Sequence, residues 1–393
     1  MKRYKNIETV QVRAGIPKTK YQEHTTPLFL TSGFVFEDAE DMRASFAEEK
    51  ERDIYSRYSN PNTSEFVEKV CRLEGAEAGY AFASGMAAIF TTFFALLKSG
   101  DHIISARSVF GSTHTLFTRY FPKWDIHTSY FNCNNPEEIS ALIRPSTRIL
   151  YAETPTNPGV DVLDLKKLSE IASAHNLLLI IDNCFATPYL QQPITFGADL
   201  VIHSATKLMD GQGRVLGGIT VGKESLIKEI YTFARNTGPS LSPFNAWILS
   251  KSLETLSVRV DRHCDNALKV AQFLENHAQV NEVKYPFMRS HPAYEIAKKQ
   301  MKAGGNIVAF QIQGGLQAGQ KFLNTLHMCS LSANLGDTRT IVTHPASSTH
   351  SKLTKADRLS VGITDGLIRV SVGLEHANDI IADIDQALVT LKK

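Results

Sequence analysis

The chain has 393 residues, of which 43% are hydrophobic, and its 42 lysines and arginines against 40 aspartates and glutamates leave a net charge of +2. The length suffices for two domains, and the balanced charge argues against nucleic acid, an acidic polymer or a membrane surface as a partner. We therefore expect a globular protein that acts on small molecules.

The amino-terminal sequence and the cysteines indicate the compartment. MKRYKNIETVQVRAG has a basic start but no apolar segment after it, so we interpret it as neither a secretory signal nor a membrane span. The five cysteines are scattered, with no CxxC pair. This usage suits a reducing compartment and does not favour a metal site, so we expect a cytoplasmic protein without a bound metal.

The first 60 residues form a polar arm, and a large domain is predicted over residues 61–242. The arm, residues 1–60, is rich in Thr, Pro, Tyr and charge, and such an arm often reaches a neighbouring subunit. The next segment alternates apolar strands with helical patterns, which indicates an α/β domain with a mostly parallel sheet covered by helices. The predicted strands are 78–83, 102–105, 148–153, 177–182, 200–203 and 218–221, and the predicted helices are 87–98, 136–143 and 165–175.

A smaller α+β domain is predicted over residues 243–393, where the pattern changes. One long helix, from 243 to about 277, is followed by strands and a closing helix. The predicted strands are 282–285, 306–312 and 367–374, and the predicted closing helix is 377–391.

A lysine follows the predicted strand 200–203 in the segment HSATKLMDGQGRVLGG. Open α/β sheets bind ligands at the carboxyl ends of their strands, so Lys207 is a candidate nucleophile. Such a lysine can hold pyridoxal 5'-phosphate (PLP) as a Schiff base and later move protons on the substrate. A lone loop lysine is usually only solvated, so the prediction depends on its neighbours.

An aspartate ends the apolar run LLLIID, 25 residues before the lysine. Buried aspartates are rare unless paired, and the protonated pyridine nitrogen of PLP would be a partner for Asp182. The alternative is an ordinary turn or helix-capping aspartate.

A phosphate site is predicted where FASGMAAI leads from a strand into an Ala-rich helix. The N–H groups of Gly85 and Met86 would lie at the helix amino terminus, where phosphate binds. The hydroxyls of Ser204 and Thr206 could complete the site, or could serve only in turn formation.

Three further residues fit a PLP site. Phe110 could stack on the planar ring and Asn157 could donate to a ring oxygen. Arg369, in LIRVSVGLE, could bind a substrate carboxylate, although a domain-interface salt bridge would also explain it. The chain lacks the GxxxxGK[ST], GxSxG and HExxH patterns, so PLP chemistry is the one interpretation that uses all these residues.

These residues lie in motifs that resemble the Cys/Met metabolism family of fold-type I PLP-dependent transferases, the cystathionine γ-synthase-like group. The resemblance runs nearly end to end and in the family's order. The motifs are YSRYSNPN (55–62), ASGMAAI (83–89), ETPTNP (153–158), DNCFATP (182–188), HSATK (203–207) and IRVSVGLE (368–375).

The resemblance implies roles for the candidate residues. Lys207 would be the Schiff-base lysine, Asp182 the pyridinium partner, and the four phosphate candidates the phosphate ligands. Tyr55 and Arg57 would reach the cofactor of a neighbouring subunit, in a homotetramer built as a dimer of dimers with shared active sites.

Departures from the family pattern narrow the resemblance to the O-succinylhomoserine sulfhydrylase branch. Phe110 replaces the common stacking tyrosine, so a hydroxyl role would be absent or pass to Tyr55. Asn334, in ANLGDTRT, stands where many relatives have a serine for the substrate carboxylate. Ser112 replaces the thiol of methionine γ-lyases, and Arg214 is either a partner for a succinyl carboxylate or a loop charge.

The resemblance therefore implies a γ-replacement reaction in methionine biosynthesis. Sulfide would displace the acyl group of O-succinyl- or O-acetylhomoserine to form homocysteine. The alternatives are a cystathionine γ-synthase, a cystathionine or methionine γ-lyase, or a PLP-binding regulator without catalysis.

Overall fold

The computed structural model describes residues 4–133 and 135–392, so residues 1–3 of the predicted arm and residue 393 of the predicted second domain lie outside the described residues. The described chain is mixed α/β. The strands are β1 Ala78–Phe82, β2 His102–Ala106, β3 His127–Phe131, β4 Thr147–Glu153, β5 Leu178–Asp182, β6 Leu200–His203, β7 Gly218–Gly222, β8 Val280–Lys284, β9 Ile307–Ile312, β10 Ser330–Leu331, β11 Ile341–Thr343 and β12 Leu367–Ser371.

The α-helices are distributed along the whole described chain. They are α1 Ile7–Arg13, α2 Ala39–Phe46, α3 Pro61–Glu74, α4 Gly85–Leu96, α5 Gly111–Thr115, α6 Glu138–Leu142, α7 Leu165–Ala174, α8 Thr187–Leu190, α9 Glu224–Thr237, α10 Pro243–Leu253, α11 Leu256–Glu275, α12 Tyr294–Gln300, α13 Gly315–Thr325, α14 Lys355–Ser360 and α15 Ala377–Val389.

Seven strands form the large sheet, in the order β1-β7-β6-β5-β4-β2-β3. All neighbouring pairs are parallel except those that involve β7, which runs antiparallel to β1 and β6. The mostly parallel sheet and its six predicted strands are confirmed. The sequence analysis missed β3, because this edge strand, HTSYF, is half exposed and lacks a continuous apolar run.

The carboxyl ends of the central strands lie side by side. Glu153 at the end of β4 pairs in register with Asp182 at the end of β5, and Asp182 pairs with Ile202 of β6. Strands β5 and β6 are buried apart from the first residue of β5. Polar side chains at these ends therefore share one edge of a buried sheet, where such folds bind ligands.

Five strands form the second sheet, in the order β10-β11-β12-β9-β8. The predicted strands near 282–285, 306–312 and 367–374 are present as β8, β9 and β12, with shorter or shifted bounds for the first and last. The sequence analysis missed β10 and β11, which are only two and three residues long. Short strands of this kind show no alternation from which to predict them.

The prediction of one helix from 243 to about 277 is wrong, because the chain breaks between α10 and α11. Thr255 departs from helical geometry, with a φ of −116° and a ψ of 11°. The two helices pack on different partners: α10 contacts α3 beside the large sheet, and α11 contacts β8 of the second sheet. The break lets each helix bury its own apolar face. The predicted domain boundary after residue 242 stays a prediction.

No helix within the described ranges is long and apolar enough to cross a membrane.

Candidate active site

Lys207 lies in the turn after β6, with its amine directed at the second domain. Its backbone N–H donates to the Ser204 carbonyl at 3.2 Å, and its Nζ donates to Oδ1 of Asn334 at 2.6 Å. Burial, with a smaller contribution from the charge of Arg369, lowers the pKa of the lysine amine. A lowered pKa increases the neutral fraction, which is the nucleophilic form of an amine.

Asp182 is buried among neutral contacts. Its Oδ1 accepts the Cys184 backbone N–H at 3.0 Å, and its Oδ2 accepts the Tyr151 hydroxyl at 3.4 Å. Burial raises the pKa of Asp182 to about 6, while the Cys184 N–H and the charge of His203 act in the opposite direction. Because neither hydrogen-bonding partner is cationic, this carboxylate fits a protonated pyridine nitrogen.

A phosphate cradle lies where α4 begins. Ser84 caps the helix by accepting the Ala87 N–H, and the first N–H groups, those of Gly85 and Met86, have no carbonyl partner within the helix. Ser204 packs so closely that a Cβ on Gly85 would lie 2.7 Å from the Ser204 Cβ. The missing side chain thus lets the helix terminus and the serine approach each other.

Thr206 is placed differently from Ser204. Its Oγ1 donates to the Gly217 carbonyl at 3.2 Å and lies 3.1 Å from the Gly217 N–H. This hydroxyl already stabilises the loop, so a phosphate would have to compete for it.

Glu153 links the two residues predicted to contact the cofactor ring. Its Oε2 accepts the Phe110 N–H at 2.7 Å, and its Oε1 accepts the Asn157 N–H at 3.0 Å. Burial, followed by the charge of Asp182, raises the pKa of Glu153 well above its usual range. The sequence analysis missed this residue, although the apolar run ILYAE ends in an acid just as LLLIID does.

Arg369 is a buried guanidinium with only neutral partners. It donates to Oδ1 of Asn157 and to the carbonyl of Asn334, each at 3.0 Å. Its Nε is buried without a hydrogen-bond partner among the described residues. Burial lowers its pKa to about 10. Because no carboxylate among the described residues pairs with Arg369, a domain-interface salt bridge does not explain it, and its role in binding a substrate carboxylate stays a prediction.

Tyr55 and Arg57 lie apart from these contacts within the single chain. The Arg57 guanidinium donates to the Arg235 carbonyl and lies 5.4 Å from the Tyr55 ring centroid. Tyr55 is 41% exposed. None of these described contacts involves Lys207 or Asp182, so a role for this pair in a neighbouring site stays a prediction.

Arg214 is engaged within its own loop. Its Nη2 lies 2.8 Å from Oδ1 of Asp210 and 2.5 Å from Oγ of Ser252. A substrate succinyl group would have to displace Asp210, so the geometry favours the interpretation of Arg214 as a loop charge.

The arrangement fits PLP. Among the described residues, the hydrogen-bond partners of buried Asp182 and of buried Arg369 are all neutral. Lys207 offers an amine close to Asn334, which Arg369 also contacts. A cofactor with a pyridinium nitrogen, a phosphate and an aldehyde, together with an amino-acid substrate, would satisfy these groups.

Comparisons with known proteins agree with this arrangement. The family described as Cys/Met metabolism PLP-dependent enzyme matches residues 8–389. An O-succinylhomoserine sulfhydrylase of Pseudomonas aeruginosa is 45% identical over 98% of this chain and 96% of its own. An L-methionine gamma-lyase of Fusobacterium nucleatum is 43% identical over 97% of this chain and 98% of its own.

A solved structure shares the fold. It is described as a putative O-acetylhomoserine (thiol)-lyase of Campylobacter jejuni that carries a pyridoxyl-lysine monophosphate. It is 31% identical with a TM-score of 0.94, over 98% of this chain and 100% of that one.

Proposed function

Because the chain belongs to the Cys/Met metabolism family of PLP-dependent enzymes, we propose that it catalyses a γ-replacement that forms L-homocysteine from an O-acylated homoserine and sulfide, as a cytoplasmic enzyme of methionine biosynthesis. Membership confirms the predicted fold-type I class and the PLP cofactor. The observation that carries the finer proposal is the 45% identity to an O-succinylhomoserine sulfhydrylase over almost the whole chain.

The described residues have separate roles in this reaction. PLP, when bound, withdraws electrons from the α-carbon of an attached amino acid and makes its protons acidic. Arg369 binds the substrate carboxylate, and Asp182 keeps the pyridine nitrogen protonated. Lys207, whose pKa is lowered, would take the Cα proton, release it and then take a Cβ proton. The acyl group would leave Cγ as a carboxylate, sulfide would form the new C–S bond at Cγ, and Lys207 would return one proton to Cβ and one to Cα.

A methionine γ-lyase is the second candidate, supported by the 43% identical relative. Both activities need the same cofactor geometry, so the two must be distinguished by the products that the enzyme forms. We would give the purified enzyme O-succinylhomoserine or O-acetylhomoserine with sulfide, and separately L-methionine alone. Homocysteine from an acyl ester at a rate well above methanethiol release from methionine supports the proposal, and the reverse ratio refutes it.

The same assay measures the acyl preference. Since Arg214 is paired with Asp210, we expect Arg214→Ala to change the ratio of succinyl to acetyl turnover by less than about threefold. A selective loss of succinyl turnover would instead assign the succinyl carboxylate to Arg214.

Phe110 is proposed to stack on the cofactor ring, and Phe110→Ala tests this role. Loss of the ring removes a stacking contact worth about 0.5–1.5 kcal/mol beyond burial, so PLP dissociation should be faster and turnover slower. Phe110→Tyr keeps the ring and should behave like the parent, because Lys207 alone is expected to move the protons. Normal PLP affinity and turnover in Phe110→Ala would make this residue a packing aromatic.

We also propose a homotetramer, built as a dimer of dimers, in which Arg57 and Tyr55 serve the neighbouring subunit's site. Mixing Arg57→Ala with Lys207→Ala chains should then restore activity from two nearly inactive parents. One site of each hybrid dimer carries neither change, and about one quarter of all sites should be intact after random 1:1 mixing. Failure to complement after verified subunit exchange would assign Arg57 to its own chain.

A further inference from the structure

Glu74 occupies a position that helix energetics disfavour. It is the last residue of α3, where the negative end of the helix dipole opposes a carboxylate, and it is completely buried. Burial of a carboxylate costs free energy unless hydrogen bonds compensate it. The contacts of Glu74 must therefore offset both the unfavourable helix position and the cost of burial.

Those contacts join two central strands of the large sheet. Oε1 of Glu74 accepts from Nε2 of His203 at 2.7 Å and from Nδ2 of Asn183 at 3.0 Å. Asn183 directly follows β5, and His203 is the last residue of β6. A single oxygen therefore bridges the carboxyl ends of both strands.

The bridged residues are sequence neighbours of the predicted cofactor ligands. Asn183 follows Asp182, and His203 precedes Ser204 in the turn that carries Lys207. Since the β5 and β6 ends have no covalent link at this edge, their spacing depends on contacts such as this bridge and the bond from the Asn183 N–H to the Ile202 carbonyl at 3.0 Å.

We propose that Glu74 is a positioning residue for the cofactor: by bridging Asn183 and His203, it fixes Asp182 relative to Ser204 and Lys207. This inference rests only on the PLP-binding part of the proposed function. By this bridge, Glu74 would hold Asp182 and the turn that carries Ser204 and Lys207 at one fixed separation, as a rigid cofactor that contacts both would require. Displacements of about 1 Å in such sites can cost about 10²-fold in rate.

His203, which Glu74 binds, also affects the pKa of Asp182. The charge of His203 is one of the influences that oppose the burial-driven rise in the pKa of Asp182. Among the described residues, His203 is hydrogen-bonded to Glu74 of α3, and Asp182 accepts hydrogen bonds from the Tyr151 hydroxyl of β4 and the Cys184 backbone N–H. The charge of Asp182 also acts on the nearby carboxyl group of Glu153. Because Glu74 binds His203, the same bridge fixes the position of the imidazole relative to Asp182.

The test compares PLP binding by the wild-type holoenzyme and its variants. Glu74→Ala removes the bridge, and we expect PLP to dissociate about tenfold more readily and the visible circular dichroism of the bound cofactor to weaken. Turnover should fall about tenfold with KM nearly unchanged. Glu74→Gln keeps an oxygen that can accept both bonds, so it should recover PLP affinity to within about threefold.

Lys69→Met provides the matched control. Lys69 is equally buried on α3, but it contacts Ser250 and Glu254 rather than the strand ends. This variant should lower the unfolding midpoint without changing PLP affinity or the dichroism. If Glu74→Ala loses stability as Lys69→Met does yet binds PLP like the wild type, Glu74 is merely structural and the proposal is wrong.

A second variant covers the case in which Glu74→Ala does not fold. Glu74→Asp keeps the charge but is too short to reach both partners, so PLP affinity should again fall, and wild-type affinity would overturn the proposal. A wrong choice of reaction would appear in the substrate assays of the unmodified enzyme, whereas PLP affinity and the visible dichroism report only the binding of the cofactor.

Discussion

Lys207→Ala is expected to abolish the visible absorption of lysine-bound PLP and to reduce turnover at least about 10⁴-fold. The substitution removes both the amine that binds the cofactor covalently and the base that moves the substrate protons. No other lysine lies in the HSATK turn, so none can replace it. Borohydride reduction of the wild-type holoenzyme followed by peptide mapping should place the pyridoxyl label on Lys207.

The control for this substitution is Lys223→Ala. Lys223 is largely exposed and pairs with Asp199, so its loss should leave absorption and turnover unchanged. A pyridoxyl label on any lysine other than Lys207 would contradict the assignment.

Asp182→Asn should leave the fold and covalent cofactor attachment largely intact but reduce turnover by about 10²-fold or more. The neutral amide cannot keep the pyridine nitrogen protonated, so the ring no longer stabilises negative charge on the substrate. Within the described chain, the buried carboxylate accepts hydrogen bonds from the Cys184 N–H and the Tyr151 hydroxyl. Circular dichroism would verify that the fold is retained, and steady-state assays would measure the loss of turnover.

Asp199→Asn is the matched control, because Asp199 precedes β6 at the opposite end of the strand and accepts the Leu179 N–H. It should affect stability more than turnover. A change of only a few fold in Asp182→Asn would make Asp182 a structural residue.

Local sequence patterns were sufficient for most of the large sheet and for the principal site candidates. Strands β4, β5 and β6 are apolar runs that end in polar residues, and these ends place Asp182 and the Lys207 turn at one edge of the sheet. The small residues of FASGMAAI predicted that the N–H groups of Gly85 and Met86 lie at a helix amino terminus, although the helix begins at Gly85 rather than at the predicted residue 87. Such signals are local, because burial and strand direction can be inferred from a few consecutive residues.

Contacts between distant segments could not be predicted in this way. The bond from Lys207 to Asn334 joins residues 127 positions apart, and that from Glu74 to His203 joins residues 129 apart. The sequence provided no signal that these residues lie close together.

By itself, then, the sequence determined the α/β class, the mostly parallel sheet, and the lysine and aspartate at its carboxyl edge, because periodicity and strand-end polarity are encoded in neighbouring residues. Only the tertiary structure decided which buried charges lack a counter-ion and which acids hold the loops together. Asp182 and Arg369 have neutral partners, while Glu153 and Glu74 bridge separate segments. These properties depend on side chains brought together by packing of both sheets, and the free energy of a buried charge is set by those neighbours rather than by its position in the chain.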